Sequence, residues 1–534
     1  MKSIFLANIK RPVQEAKPLI KALLVESGDA FPYCEPEGLV ISRSGDECVV
    51  TLAAQWYMDY GEESWKSKAE ECLARMETFG EETRNQFVKT LDWLRQWACS
   101  RSFGLGSRLP WDQQWLIESL SDSTIYMAYY TVAHLLQEGS FDGSVVGPAG
   151  ISPQDLTDEV WSYVLLDAPL PANSNIPKTT LEKLRREFRY FYPLDLRCSG
   201  KDLVPNHLTF FIYNHTAIFP AEHWPQAVRS NGHLLLNNAK MSKSTGNFMT
   251  LREAIDKYGA DAVRFALADA GDGLEDANFL EKTADDAILK LYTEKEWIQE
   301  VLKESMREGP FSWNDEVFNS EMNKIIDLTD KAYSNMLYRE ALKFGFYDLQ
   351  NARNEYRKCT SGKGQVLLSD SENFEGMHKD LVLKFVEVQA LMLSPITPHW
   401  SEHVWKELLG KTSSITDSLW PKSDNIDESI LNAAHYVRGI CNNIRSAEDV
   451  AAKKRAKKGL LKEDLSSDST DRCLRLYMAK EYPEWQETSI KILKECWSEE
   501  DRKIVGEREK LKEAGLLKDK RIMPFVASVK VRIT

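Results

Sequence analysis

The segment Lys240-Met241-Ser242-Lys243-Ser244, continued by Thr245-Gly246-Asn247, carries two lysines, three hydroxyl side chains and a glycine. The apolar run from Gly232 to Leu236 precedes it and has the length of a β-strand. Thr250 follows it and is a suitable N-cap for a helix through Tyr258. Residues 240–247, called the lysine loop below, are therefore predicted to join a strand to a helix, and this arrangement indicates a site for a nucleotide triphosphate.

The composition of the lysine loop suits phosphate binding. The ammonium groups of Lys240 and Lys243 can neutralise charge on a leaving pyrophosphate, while backbone N–H groups and the dipole at a helix N terminus favour anions. Gly246 permits a tight bend that a side chain would obstruct. A stretch rich in lysine and serine is also compatible with a solvated polar loop, so its interpretation depends on the rest of the chain.

A second group of polar residues lies upstream, in the segment from Asp195 to His207. Here a predicted strand ends in a glycine turn, and Gly200 would let the backbone approach a ligand closely. Asp202 could accept hydrogen bonds from a pair of ribose hydroxyls, and His207 could form part of a pocket wall. Two simpler interpretations remain open, in which Asp202 caps a helix and His207 is a packing residue.

A third segment, Trp111 to Met127, has dense aromatic side chains and clustered hydroxyls, and it includes Tyr126. These residues could line a pocket for a small apolar side chain with a few polar contacts. The alternative is an ordinary core helix with serine or aspartate capping.

The pattern of apolar residues changes along the chain. Cys48–Leu52 reads as a strand and Glu81–Ala98 as an amphipathic helix, so the region up to about residue 275 is predicted to be α/β. Long helical periodicities follow Asn278 and predict an all-α region. Residues 447–470 are rich first in lysine and then in serine and aspartate, and they are predicted to form a linker or exposed arm.

The composition excludes several classes of protein. A chain of 534 residues with 43% hydrophobic residues should fold into more than one domain. Nine cysteines without a C-x-x-C pair argue against a zinc ribbon, and no metal ligands are discernible. No apolar run approaches the roughly 18 residues of a membrane span, so we expect a soluble, cytoplasmic protein without a membrane partner.

The net charge of −13 gives no indication of DNA binding. Nucleic-acid binding depends on local clusters rather than on the total, and two basic clusters are present, Lys183–Arg186 and Lys453–Lys458. An acidic chain of this kind can still hold RNA.

The three segments, in their order along the chain, resemble those of the leucyl-tRNA synthetases of the eukaryotic cytosolic and archaeal type, which are class I aminoacyl-tRNA synthetases. The lysine loop matches the KMSKS signature of that class. The resemblance implies the second half of a Rossmann-type nucleotide-binding domain followed by a helical anticodon-binding bundle. It assigns residues 1–45 to a remnant of the editing insertion and its connection, 46–275 to the catalytic half with the KMSKS loop, 276–445 to the anticodon-binding domain, and 446–534 to a basic linker and partial C-terminal extension.

The resemblance also implies roles for individual residues. Lys240 and Lys243 would be catalytic, with Lys243 stabilising the pyrophosphate in the transition state, and Tyr126 and His207 would face the leucine side chain. The implied substrates are leucine, tRNA(Leu) and ATP with Mg²⁺. Contacts with ATP would come from Lys240, Met241, Ser242, Lys243, Ser244, Gly200 and Asp202, the last two at the ribose.

The family has a second ATP signature, H-x-G-H, which this sequence does not contain; its closest pair of histidines, His399 and His403, follows the lysine loop. The chain is therefore expected to be an N-terminally truncated family member. Its expected partners then include a missing N-terminal half or a multi-synthetase assembly. The alternative function is a non-catalytic tRNA-binding or scaffold fragment, in which Lys453–Lys458 forms either a basic arm or a solvated linker.

Overall fold

Two parallel strand pairs form the centre of the α/β region in the computed structural model. Arg197–Gly200 pairs with Val228–Asn231, and Leu234–Leu236 pairs with Ala277–Phe279. Parallel neighbours need a crossover connection. The helix Thr209–Ile218 lies in the first crossover, and two helices between Leu236 and Ala277 lie in the second. Both connections are thus β-α-β units, as a Rossmann-type half domain requires.

The structure describes residues 12–42, 45–140, 143–242, 245–361, 376–457, 481–498 and 503–533. The chain separates into two compact units, with the division between Tyr436 and Val437. In the first unit, one hydrophobic core is built from residues between Tyr60 and Val228, and another from residues between Leu236 and Ile415.

Antiparallel strands precede the parallel pairs. Tyr57–Asp59 pairs with Gln96–Ala98, and Asp112–Ile117 lies between Ser100–Arg101 and Arg108–Leu109. The helices of this part are Val13–Glu26, Glu63–Arg75, Glu81–Trp93, Ser119–Asp122, Tyr126–Leu136, Asp158–Leu165, Lys178–Phe191, Thr209–Ile218, Leu251–Tyr258 and Ala260–Ala270.

The chain from Glu281 to Tyr436 contains no strand in the residues that the structure describes. Its helices are Glu281–Val301, Trp313–Ser334, Tyr338–Leu342, Leu349–Ser361, Lys379–Leu393, Pro398–His403 and the first part of Glu428–Lys457. Pro398 occupies the first turn of its helix, where its missing N–H costs no hydrogen bond. An α/β region followed by an all-α region is therefore confirmed.

The second unit has a small core of its own, with Leu493, Leu511, Ile522 and Val526 at its centre. The helices Glu484–Glu495, Glu507–Glu513 and Ile522–Ile533 surround it, and the short strands Trp497–Ser498 and Lys503–Ile504 form an antiparallel pair.

Two local predictions need correction, and a third concerns a segment that is described only in part. Cys48–Leu52 is not a strand: it has no partner strand, and the side chain of Val49 is 77% exposed. The predicted helix Glu81–Ala98 ends at Trp93, because Gln96–Ala98 pairs with another strand. The predicted arm is helical up to Lys457, and the remainder of 447–470 lies outside the described residues.

Candidate active site

A tight β-hairpin leads into the lysine loop. Its strands, Leu234–Leu236 and Ala239–Lys240, are joined by two asparagines, Asn237 and Asn238, with φ angles of 50° and 66°. A two-residue turn that matches the twist of its strands needs positive φ at both positions, and asparagine tolerates this conformation better than most side chains.

Side chains from the neighbouring β-α segment hold the hairpin turn in place. The Asn278 side chain accepts a hydrogen bond from the Asn238 backbone at 2.8 Å and donates one to the Asn238 side chain at 2.6 Å. Glu281 accepts a hydrogen bond from the Asn237 side chain at 2.9 Å. Lys257 and Tyr258 also donate to Glu281, and these hydrogen bonds, that from Lys257 foremost, lower the pKa of its carboxyl group to about 2. The turn before the lysine loop is thus fixed by the parallel strand beside it.

In the described part of the lysine loop, the charged side chain of Lys240 is exposed and the side chain of Met241 packs against the core. Lys240 is exposed at the end of the hairpin, whereas Met241 is half-buried and packs against the core that begins at Leu236. The loop closes where Ser242 and Asn247 form an antiparallel bridge, and the Asn247 side chain donates to the carbonyl oxygen of Lys240 at 3.2 Å. Lys243 and Ser244, both predicted to bind phosphate, lie outside the described residues.

The bend predicted at Gly246 is present, with a φ angle of 73°. The helix after the loop, Leu251–Tyr258, begins with a capping box in which Thr250 and Glu253 bond to each other's backbone N–H groups. The Glu253 carboxylate therefore already places negative charge at this helix N terminus. This negative charge opposes the contribution that the helix dipole was predicted to make to phosphate binding.

Asp202 lies in a group of charged residues at the end of the strand Arg197–Gly200. Its carboxylate is 3.5 Å from Nε2 of His233, the residue directly before the hairpin. The backbone N–H of His233 donates to Asp276 at 3.0 Å, and the Lys201 ammonium donates to the same carboxylate at 2.6 Å. The hydrogen bond from Lys201, followed by that from His233, holds the pKa of Asp276 below its ordinary value.

The structure excludes the interpretation of Asp202 as a helix cap. Asp202 lies inside the short 3₁₀ turn Lys201–Leu203 and does not cap a helix. A Cβ atom added at Gly200 would come within 2.6 Å of the flexible Asp202 side chain and would meet no backbone atom there. The fold therefore has little need for glycine at position 200 and little need for aspartate at position 202.

Tyr126 and His207 both contact Arg197, a residue for which no role was predicted. The guanidinium of Arg197 donates a hydrogen bond to the Tyr126 hydroxyl, and its carbon atom lies 5.1 Å from the centre of the Tyr126 ring. A second guanidinium nitrogen is 3.2 Å from Nε2 of His207. The two residues predicted to face the amino acid thus share one cation.

His207 is buried, with 4% of its surface exposed, in the π-helical segment Val204–Leu208. Such irregular turns inside helices are frequent at functional sites, and Pro205, which has no N–H group, interrupts the regular pattern here. Burial, above all, lowers the pKa of His207, and the nearby positive charge of Arg197 acts in the same direction. The imidazole is therefore neutral near pH 7.

Two clusters of predicted residues thus form, one around Asp202 and one around His207. Lys240 is connected to the Asp202 cluster through the hairpin. The hairpin strand Leu234–Leu236 starts next to His233, which contacts Asp202. Arg197, His233 and Asp276 were not among the residues predicted from the sequence. Arg197 could have been noticed, since it lies in the same short strand as Gly200, whereas nothing local marks Asp276.

The described residues hold neither a candidate metal site nor a membrane span. No group of three or more His, Cys, Asp or Glu side chains in that part of the chain could hold a metal ion. None of the helices described is long and apolar enough to cross a membrane.

Three family models match consecutive parts of the chain. Residues 149–290 match the family described as tRNA synthetases class I (M), and residues 315–460 match the anticodon-binding domain of tRNA ligases. Residues 478–534 match the family described as the RagD-binding domain of leucine–tRNA ligase.

Individual relatives are similar over nearly the whole chain. The cytoplasmic leucine–tRNA ligase of Pongo abelii is 48% identical over 529 residues, which are 97% of this chain and 44% of the relative. That of Saccharomyces cerevisiae is 47% identical over 98% of this chain and 46% of the relative. That of Arabidopsis thaliana is 52% identical over 80% of this chain and 38% of the relative.

The chain thus spans less than half the length of these relatives. The similarity extends over 97% and 98% of this chain in the first two of them. By this similarity the chain belongs to the cytoplasmic leucine–tRNA ligase family of the class I aminoacyl-tRNA synthetases.

Proposed function

We propose that the chain contributes to a leucine–tRNA ligase, which activates leucine with ATP and transfers it to tRNA(Leu). The observation that carries this proposal is the hairpin from His233 to Lys240. Lys240 pairs with Leu235, two residues from His233, and the His233 imidazole is 3.5 Å from Asp202, so the start of the lysine loop and the strand-end residues lie at the same open end of the hairpin. The family membership of the chain supports the same reaction.

For ATP, we propose the contacts that the family pattern implies. Lys240 and Lys243 would stabilise the pyrophosphate as the leucine carboxylate attacks the α-phosphate, while Ser242 and Ser244 hold the phosphates. Met241 would anchor the loop, and Gly200 and Asp202 would contact the ribose. The fold has little structural requirement for Gly200 and Asp202, and this supports a role for both residues in binding. Rate acceleration would come from positioning and charge stabilisation, with Mg²⁺ arriving on ATP.

For leucine, we propose that Tyr126 and His207 line the side-chain pocket. A neutral imidazole and the face of a phenol ring are compatible with an isobutyl group, whereas a charged imidazole would favour water. Both residues are at least half-buried, as a pocket wall for an apolar ligand should be.

For macromolecular partners, the anticodon-binding match of residues 315–460 supports tRNA(Leu) as a ligand of the helical region. The family named for RagD binding matches residues 478–534, and this supports a protein partner for the second unit. The names of the relatives support a cytoplasmic location. The proposed domain limits remain 1–45, 46–275, 276–445 and 446–534.

The activation step is tested by leucine-dependent exchange of labelled pyrophosphate into ATP with the purified chain. The lysine variants Lys240→Ala and Lys243→Ala should lower the exchange rate by about 10²–10³-fold, the range typical for removal of one transition-state charge contact. Lys282→Ala, an exposed lysine on the helix Glu281–Val301, is the matched control. If the folded chain supports no leucine-dependent exchange, the catalytic proposal fails for this chain.

A second candidate, tRNA binding without catalysis, is favoured by the helical region, in which residues 315–460 match the anticodon-binding domain of tRNA ligases. It predicts binding of tRNA(Leu) by a chain that is inactive in the exchange assay. Contacts with phosphates release counterions, so the affinity should fall steeply as the salt concentration rises. An affinity for tRNA that does not change with salt would argue against electrostatic binding through the basic segment Lys453–Lys458.

A further inference from the structure

Arg197 makes hydrogen bonds to two neutral acceptors. Its guanidinium donates to the Tyr126 hydroxyl and to Nε2 of His207, and its ring contact with Tyr126 adds a cation–π interaction. In the part of the chain that the structure describes, no carboxylate forms an ion pair with this half-buried side chain. A cation that is partly desolvated without a counter-charge is costly, so a purely structural role is a poor explanation for it.

The geometry determines which nitrogen of His207 carries the proton. The Leu120 carbonyl oxygen, 3.2 Å from Nδ1, can only accept a hydrogen bond, so Nδ1 must donate. A guanidinium can only donate, so Nε2, 3.2 Å from Arg197, must accept. Protonation of Nε2 would place two donors and two positive charges opposite each other. The site therefore admits one neutral tautomer, with its proton on Nδ1.

The same reasoning sets the orientation of Tyr126. Since Arg197 can only donate, the Tyr126 oxygen acts as acceptor in that contact, and its own O–H group is left to donate elsewhere. The Ser123 hydroxyl, 3.4 Å from Nδ1 of His207, completes the groups that face the imidazole from the described elements around it. Arg197 is the charged group among them.

We propose that Arg197 is a positioning residue for leucine: it fixes His207 as the neutral Nδ1–H tautomer and aligns the Tyr126 hydroxyl, so that the wall facing the leucine side chain never carries an imidazolium. This inference rests on the proposed function and goes beyond it, because it assigns a role to a residue that contacts the pocket wall and not the substrate. It predicts that leucine recognition depends on pH only after Arg197 has been removed.

The direct test is histidine-selective NMR on the whole chain, with the His207 signal identified by its loss in His207→Gln. In the unsubstituted chain the neutral imidazole should give the signals of the Nδ1–H tautomer, and it should take up a proton only below the ordinary histidine range. In Arg197→Met the imidazole should become protonated at a higher pH, and Arg197→Lys, which keeps the charge but not the planar fork, should lie between the two. Arg186→Met, an exposed arginine on the helix Lys178–Phe191, should change nothing.

The functional test is the leucine KM in pyrophosphate exchange. Arg197→Met should raise this KM about tenfold near pH 6 and much less near pH 8, with kcat little changed, a size typical of a perturbed apolar pocket. A variant that is merely misfolded would lose kcat at every pH and would melt early.

The two tests separate the inference from the function it rests on. Equal titration of His207 in the unsubstituted chain and in Arg197→Met, or an Nε2–H tautomer, overturns the assignment of Arg197. Absence of any leucine-dependent exchange overturns the proposed function and the link to leucine, while the NMR result still decides whether Arg197 controls His207.

Discussion

Asn238 and Asn278 bond to each other twice, although 40 residues separate them: the Asn278 side chain meets both the backbone N–H and the side-chain oxygen of Asn238. This pair connects the hairpin turn before the lysine loop to the parallel strand Ala277–Phe279. The position of the loop therefore depends on a segment that follows it in the sequence.

Replacing Asn278 by alanine should destabilise the chain by about 1–3 kcal/mol, because two hydrogen bonds are lost at about 0.5–1.5 kcal/mol each. The measurement is urea-induced unfolding. Asn351→Ala, at an exposed position on the helix Leu349–Ser361, is the control and should stay within about 0.5 kcal/mol of the unsubstituted chain. Equal stability of the two variants would argue against a clamp on the hairpin.

Gly232 lies between the strand Val228–Asn231 and the hairpin, and a Cβ atom there would come within 2.1 Å of the Glu275 carbonyl oxygen. Since the obstacle is backbone, Gly232→Ala should cost about 1–3 kcal/mol, as overpacking usually does. It should also displace Asp276 and weaken the contact of that residue with His233.

Gly38→Ala provides the comparison for Gly232→Ala, because no atom lies within 4 Å of the added group and the backbone there needs no glycine. Thermal unfolding of both variants checks the prediction. A melting temperature for Gly232→Ala equal to that of Gly38→Ala would contradict it.

The features predicted well from the sequence are those that short-range chemistry specifies. Thr250 and Glu253 are three residues apart and form the capping box that starts the predicted helix. Leu234–Leu236 is a strand within the predicted apolar run, and Gly246 adopts the predicted bend. Each of these features depends on residues only a few positions away in the sequence.

The features that were missed depend on distant partners. Lys201 and Asp276 are 75 residues apart, and no local pattern links them. Cys48–Leu52 is β-branched and apolar enough for a strand, but strand formation also needs a partner and a core to cover one face, and this segment has neither in the structure. Arg197 resembled an ordinary strand residue until His207 and Tyr126 were placed around it.

Glu294 and Arg353 form a buried ion pair between two helices of the bundle, at 2.6 Å, with 3% and 9% of their side chains exposed. Burial raises the pKa of Glu294 and lowers that of Arg353. Desolvation therefore opposes both charges, and the pair does not stabilise the fold strongly by itself.

Removing only one partner of this ion pair should nevertheless lower the unfolding free energy substantially. Arg353→Met leaves the Glu294 carboxylate buried without its cation, although Gln350 still donates to it, and the unfolding free energy should fall by about 3–5 kcal/mol. The double variant Glu294→Leu with Arg353→Met should recover most of that loss. Lys331→Met removes an exposed ion pair to Asp327 and should cost at most about 1 kcal/mol. A double variant as unstable as the single one would contradict the expected cost of an unpaired buried charge.

His215 is fully buried in the helix Thr209–Ile218, where its Nδ1 donates to the Phe211 carbonyl at 2.9 Å and its Nε2 accepts from the Tyr192 hydroxyl at 3.1 Å. Burial, as the largest cause, lowers its pKa to about 4. The unfolded chain binds a proton at the ordinary histidine pKa of about 6.5, and the folded chain does not until about pH 4. The His215 contribution to stability is therefore fully present above about pH 6.5 and is lost as the pH falls towards 4.

Between pH 7 and pH 5 this linkage should remove about 2 kcal/mol of unfolding free energy, at 1.36 kcal/mol per pH unit below about pH 6.5. His215→Gln can keep both hydrogen bonds but takes up no proton, so its stability should fall less over the same range. His207 is present in both proteins and does not affect the difference between them. Urea unfolding at the two pH values gives the comparison. If both proteins lose the same free energy between pH 7 and pH 5, His215 is not the proton acceptor that couples acidity to unfolding.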